Sequence, residues 1–270
     1  MSRAGFYRTA SAAPRPEEVH LRDQVQRVAV EWPTYGSRRI TAELRRAGWV
    51  VNRKRVQRLM REDNLLCLRK RKFVVTTDSA HGERVYPNLA ASLVVTAINQ
   101  LWLADITYIR LLEEFIYLAV ILDAFSRRAI GWALDSKMEN SLTLTALAMA
   151  LEQRRPAAGL IHHSDQGVQY ASRDYVAVLQ MHQICISMSR RGNPWDNAAC
   201  ESFMKTLKSE EVDRSDYHNL ADARGRISDF LDQIYNQKRL HSALGYRPPV
   251  EFERLHLPVP TEPLVLREGV

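Results

Sequence analysis

Cysteine is scarce. The chain has three, Cys67, Cys185 and Cys200, odd in number and far apart. That excludes a disulfide framework, and no cysteine pair is spaced to join His162 and His163 in a structural zinc site. Long apolar runs are also missing. The longest, such as Ile116 to Leu122, fall far short of the roughly 20 residues that cross a bilayer. The first residues, Met1 to Arg8, lack the apolar core of a signal peptide. No membrane role follows, and the cytoplasm is the expected compartment.

What is present is enough apolar material for a real core, 46% of 270 residues, a length that suits two compact units. The net charge of +7 is unevenly placed. Residues 1–90 hold 19 Lys and Arg against 9 Asp and Glu, so the remainder is slightly acidic. A basic segment attached to a near-neutral body is the electrostatic footprint of a nucleic-acid binder, although a solvated surface has the same composition.

The first third predicts helices. One spans Glu17 to Glu31. A second is capped by Ser37, carries Ile40 and Leu44 on one face and stops at Gly48. A third is capped by Asn52, runs to about Asp63, and shows Val56, Leu59 and Met60 as its apolar stripe. Arg53, Lys54, Arg55, Arg58 and Arg61 occupy its other faces. Two short helices around a glycine turn, the second strongly basic, fit a helix-turn-helix near residues 35–66. Arg38 and Arg39, with the cationic run Arg69, Lys70, Arg71 and Lys72, add candidate DNA contacts. Residues 1–72 therefore read as a basic DNA-binding region and 73–96 as a linker.

After Asn99 the pattern changes. Leu101 to Leu111, Phe115 to Asp123 and Arg128 to Leu134 predict an antiparallel meander. A helix over Glu139 to Gln153, a strand at Leu160 to His163, a helix over Asp174 to Met181, a strand at Ile184 to Ser187 and a helix over Asp196 to Ser209 follow. This order is α/β: a five-stranded mixed sheet with flanking helices, assigned to residues 97–250. The proline-rich stretch 251–270 reads as an extended tail.

Three carboxylates stand out. Asp105 lies inside an apolar strand, where a charge is costly unless paired or bound to a cation. Asp165 follows the fourth strand, before Gly167. Glu201 falls in the first turns of the last core helix. If strands one and four are neighbours, all three converge and repel one another at neutral pH. A divalent cation resolves the conflict, and oxygen-only donors favour Mg²⁺ or Mn²⁺. Two ions about 3.5 to 4 Å apart suit an in-line phosphoryl displacement, with Asp105 shared between them. Asp123 and Asp135 also sit at strand ends and read as structural, Asp123 through the turn at Ala124-Phe125-Ser126.

At these residues the chain resembles bacterial insertion-sequence transposases, specifically the second-frame product of the insertion-sequence-three family. The strings are Trp102-Leu103-Ala104-Asp105-Ile106-Thr107-Tyr108, His163-Ser164-Asp165-Gln166-Gly167-Val168-Gln169-Tyr170, Gly192-Asn193-Pro194-Trp195-Asp196-Asn197 with Glu201-Ser202-Phe203, and Tyr235-Asn236 through Arg239-Leu240-His241 to Tyr246. Thirty-five residues separate Asp165 from Glu201, the spacing of the retroviral-integrase superfamily. The resemblance implies a ribonuclease-H-like core with the catalytic, metal-binding triad Asp105, Asp165 and Glu201. It also implies double-stranded DNA, both element ends and target, as substrate, and a multimer assembled on it. Lys205 and Lys208, one and two turns beyond Glu201, are candidate phosphate contacts. Arg239 and His241 either touch DNA or close the domain. The family's upstream frame, a second helix-turn-helix with a leucine zipper, has no counterpart here, so a separate upstream-frame partner is expected. The alternatives are a nuclease of the same fold that cuts without joining, and a DNA-binding regulator or incomplete transposase.

Overall fold

The computed structural model describes residues 16–65, 84–111, 114–190 and 197–256. The chain divides into two compact units, Met1–Phe73 and Val74–Val270. The cationic run Arg69 to Lys72 lies outside the described residues.

The first unit is a helical bundle of α1 (Pro16–Glu31), α2 (Ser37–Arg46) and α3 (Arg53–Glu62). Leu21, Val25, Tyr35, Ile40, Leu44, Val51, Val56 and Leu59 form its interior. In α2 the pair Ile40 and Leu44 recurs at helical spacing, so both fall on the buried face. Gly48 takes a left-handed φ of 87°, a conformation glycine adopts without strain, and the helix ends there. The α3 cap is as expected: the Asn52 side chain accepts from the Arg55 N–H at 2.9 Å. The α2 cap is not. Gly36 is the flanking residue and Ser37 is already helical, its carbonyl accepting from the Thr41 hydroxyl at 2.6 Å.

The second unit is built on one mixed sheet of β1 (Leu101–Arg110), β2 (Phe115–Asp123), β3 (Ala129–Asp135), β4 (Ile161–Ser164) and β5 (Cys185–Met188). The strand order is β3-β2-β1-β4-β5. The meander β1-β2-β3 is antiparallel, while β4 and β5 join parallel to β1. With β1 in the centre, alternate residues enter opposite cores. Trp102 and Ala104 face α4 (Asn140–Arg154), the single turn α5 (Val168–Ala171) and α6 (Arg173–Met181). Leu101, Leu103 and Ile109 face α7 (Ala198–Glu210) and α8 (Leu220–Asp229). Asp105 shares their parity and therefore their side of the sheet. This is a ribonuclease-H-like arrangement, and the expected strands and helices through Ser209 fall within two residues of the observed ones.

Backbone contact fixes how closely α4 lies on β3. A Cβ added at Gly131 would stand 2.3 Å from the Ala146 carbonyl oxygen and 2.9 Å from the Ala150 nitrogen. Neither atom can move without shifting the helix. Gly131→Ala is therefore expected to cost about 1–3 kcal/mol by overpacking, read as a fall in denaturation midpoint at constant m-value.

Two regions depart from expectation. Residues 84–96, assigned to a linker, have no regular structure but are fastened to the sheet. The Leu89 N–H donates to the Ser187 hydroxyl at 2.8 Å, and Tyr86, Ala90 and Val95 pack on the two cores. Residues 251–256, assigned to an extended tail, belong to α9 (Pro249–His256). That assignment rests on Pro258, Pro260 and Pro263, whereas the helix begins ahead of them at Pro249, in a first turn whose N–H groups have no intrahelical partner to lose. Glu253 then anchors α9 internally, accepting from Ser126 at 2.6 Å and from Arg128 at 2.7 Å, with Arg154 as a third partner. Residues 257–270 lie outside the described residues.

Candidate active site

Asp105 sits mid-strand in β1, half-buried, with one carboxylate oxygen accepting from the Ile106 N–H at 2.8 Å. Asp165 follows β4, the parallel neighbour of β1, so both carboxylates emerge from adjacent strands. Its oxygen takes the Gly167 N–H at 3.0 Å. Glu201 stands in the first turn of α7, exposed, while Cys200, Phe203, Met204 and Leu207 fix that helix on the Asp105 side of the sheet.

The electrostatics join the three. Burial first, then the charge of Asp165 and more weakly that of Glu201, push Asp105 up to about 7, against the opposing Ile106 N–H and the Lys208 cation. Asp105 is thus poised between protonation states near neutrality. The Cys200 thiol is pushed well up by burial and by the same three carboxylates, so it is a protonated, inert neighbour. Among the described residues no three His, Cys, Asp or Glu side chains already stand close enough to enclose an ion. The carboxylates share one field, with Glu201 turned toward solvent.

Asn197 ties the helix to the strand. It is 8% exposed, and its amide donates to the Ala104 carbonyl at 3.3 Å, one residue before Asp105. Its position in a family string was visible in the sequence, but its contact was not. Lys208 is half-buried with its ammonium 4.8 Å from the centre of the Tyr108 ring, and burial lowers its pKa against the pull of Asp105. Lys205 is exposed on the same face of α7. Asn193 and Trp195 lie outside the described residues.

Several other candidates have structural partners. Asp123, fully buried, accepts from the N–H groups of Asn99, Phe125 and Ser126 at 2.7, 3.0 and 2.9 Å and so builds the turn after β2. Arg239 is 3% exposed and forks onto Glu210 at 2.7 and 2.8 Å, which ties it into the fold. His241 is buried edge-on to the Tyr235 ring. His162 is hydrogen-bonded to the Tyr175 hydroxyl at 2.9 Å, and burial, then His163, push its pKa down to about 3, so it stays neutral. His163 is 2.8 Å from the Ser187 hydroxyl.

In the helical unit, Arg38, Arg53 and Lys54 are exposed, Arg55 is half-buried, and Arg39 lies 5.4 Å over the Tyr35 ring. Arg58, also exposed, has partners within the fold. It bridges Glu18 on α1 and Glu62 on α3, the latter at 3.0 Å, and so ties two helices together. No sequence pattern marked Glu18 as its partner, because the two are 40 residues apart.

Residues 16–73 match the HTH-like domain, and residues 95–194 and 182–249 match two models of the integrase core domain. A 31 kDa protein of insertion element IS600 from Shigella sonnei is 40% identical over 95% of this chain and 96% of its own length. The transposase InsF of insertion sequence IS3A from Escherichia coli is 38% identical over 83% of this chain and 78% of its own. Among solved structures, a simian T-cell lymphotropic virus intasome chain aligns at 15% identity and a TM-score of 0.49, covering 89% of this chain and 79% of that one. Identity of this extent, running through both the helical unit and the integrase core, places the chain in the family of insertion-sequence transposases.

Proposed function

We propose that this transposase cleaves and joins DNA strands at insertion-sequence ends, with Asp105, Asp165 and Glu201 as the carboxylates that hold its divalent cation. One observation carries the reading. Asp105 is driven to about 7 by burial and by two acidic neighbours drawn from different elements, a cluster that is unfavourable to the fold by itself. A hard cation relieves that repulsion, and a set of carboxylate oxygens suits Mg²⁺ or Mn²⁺. When bound, a pair of such ions would stabilise charge on the attacking and departing oxygens of a phosphoryl transfer.

The chain's own groups supply the rest. Asn197 holds the helix carrying Glu201 against the strand carrying Asp105. Lys205 and Lys208, on the Glu201 face of α7, are placed to receive backbone phosphates, with Lys208 steadied on Tyr108. At the start of α3, Arg53 and Lys54 project toward solvent where a recognition helix meets bases, with Arg38, Arg39 and Arg55 beside them. Joining requires two ends together, so the active form is a multimer on DNA. Residues 1–72 serve recognition and 97–250 serve chemistry.

Incubating the protein with supercoiled plasmid and oligonucleotides from the element's ends, with Mg²⁺, Mn²⁺ or EDTA, tests the proposal. Metal-dependent joined product is expected. Nicking without joining on pre-cut ends would point to a nuclease, and salt-sensitive binding with no reaction under any metal would point to a regulator.

The two kinds of arginine on α3 separate in the same binding assay. Replacing Arg53 and Lys54 by Ala should weaken DNA binding and reduce the slope of log K against log salt by about 0.9 per lost phosphate contact. Arg58→Ala should leave that slope unchanged while lowering the melting temperature. An unchanged slope in the double variant would remove the α3 N-terminus from the interface.

A further inference from the structure

Close in sequence to Asp165, Tyr170 carries a buried polar group without a partner among the described residues. Tyr170 lies on α5, one turn beyond Gly167, and is 2% exposed. Its hydroxyl oxygen is buried with no hydrogen-bond partner among the described residues. The obvious neighbours are already engaged. The Tyr175 ring meets Tyr170 edge-on at 5.4 Å, but its hydroxyl is joined to His162. His162 itself is 6.3 Å from the Tyr170 ring. A buried hydroxyl without a partner is unfavourable, and each such group in a native protein calls for an explanation, a role at a functional site among them.

The surroundings identify that partner. Besides burial and Tyr175, the charges of Asp165 and Asp105 act on this phenol and hold its pKa well above the usual range. A phenol hydroxyl is a hydrogen-bond donor, and the charged groups that act on this one are carboxylates, which accept. Asp165 is on the same short segment: its side chain folds back on Gly167, whose N–H begins the turn that carries Tyr170. A small movement of the Asp165 carboxylate, as it takes up a cation, would present its outer oxygen to the phenol.

We propose that Tyr170 is a positioning residue of the acidic cluster, its buried hydroxyl donating a hydrogen bond to the Asp165 carboxylate when that group holds the divalent cation. A second-layer donor of this kind fixes the orientation of a ligating carboxylate without touching the ion or the DNA. Nothing in the strand and helix pattern asks for a hydroxyl there. A phenylalanine would fill the same aromatic contact with Tyr175 and His162, so the oxygen has no packing role. The inference rests on the reading of Asp165 as a cation ligand.

Tyr170→Phe tests it, because the ring and its packing are retained. Binding of Mn²⁺ alone to the protein, followed by calorimetric titration without DNA, should weaken about tenfold. The metal-free melting temperature should be unchanged or slightly higher, since a buried unpaired oxygen has been removed. In strand joining, half-maximal activity should need correspondingly more Mn²⁺, with activity recovering at saturating metal. Equal Mn²⁺ affinity in the two proteins would overturn the role for Tyr170 while leaving the cation site standing, provided Asp165→Asn abolishes that binding. If Asp165→Asn also binds Mn²⁺ like the parent, or the parent binds none, the reading of the site and this inference both fall.

Discussion

Asp105→Asn will abolish strand joining and, in metal-free buffer, raise the melting temperature. The two effects have one cause. In the folded chain the half-buried Asp105 carboxylate lies in the field of Asp165 and Glu201, and its pKa is pushed up to about 7 by burial and by those charges. The unfolded chain has no such penalty. Between the ordinary aspartate range and about 7, the native state therefore binds more protons than the unfolded state, and stability falls as pH rises through that window. The full penalty applies above it. A shift of this size, reduced for partial exposure, is worth on the order of 2 kcal/mol, or roughly 5 °C in a unit of this length. The amide carries no charge, so the variant should lose this slope and melt higher at pH 7.5.

Activity moves the other way. Removing one anionic ligand should reduce joining by about a thousandfold or more, since cation binding supplies several kcal/mol of charge stabilisation. Added Mg²⁺ should stabilise the parent and not the variant, through binding to the native state alone. A variant that melts at or below the parent across pH 5–8, or one that still joins DNA, would remove Asp105 from the cluster. A site that destabilises its own fold to hold a ligand is the usual stability–function trade.

Glu253→Ala should be the most damaging substitution outside the acidic cluster. Glu253 is 3% exposed and accepts from Ser126, Arg128 and Arg154 at once. Burial alone would raise its pKa, but the hydrogen bonds and charge of Arg154, with Ser126 and Arg128, hold it below the usual carboxylate range. Its truncation leaves two guanidinium groups partly enclosed without an acceptor. Breaking a buried pair in this way costs about 3–5 kcal/mol, or roughly 10 °C here. The pH dependence is opposite to that of Asp105. Because the folded value is lowered, the Glu253 contribution is complete above the ordinary glutamate value and is lost as acidification passes through the folded one. Thermal melts of parent and variant should therefore draw together only as the pH falls beneath the ordinary glutamate value and through the lower folded one. Parallel melts at every pH would show that packing of α9, rather than the charge network, is what the substitution removes.

Most of the secondary structure was legible because it is local. The continuous apolar run of Phe115–Asp123, the Asn52 cap and the left-handed Gly48 are decided by side chains within a few residues of each other. The three carboxylates were legible through their strings and spacing. The region after Glu210 was not, because its elements are short and held by distant partners. The Asn236 amide pairs with both backbone groups of Ala129 at 3.0 and 2.9 Å, completing an edge of β3 that is 107 residues away. It does so from the end of a π-helical turn, Phe230–Tyr235, that no propensity marks.

The sequence by itself determined the order of elements, the basic character of the first unit and the family, and it pointed to the three acidic residues proposed here. Those follow from hydrophobic period, charge and motif, which are properties of neighbouring residues. Tertiary structure decided which cations are engaged within the fold and which face outward: Arg58 lies on Glu18, Arg239 on Glu210, Arg128 and Arg154 on Glu253. It also decided that Asp105 shares a sheet face with α7 and that the Tyr170 hydroxyl is enclosed without a hydrogen-bond partner among the described residues. Burial and pairing depend on what a side chain meets across the fold, and the interior of a close-packed protein fixes that only when all the elements are in place.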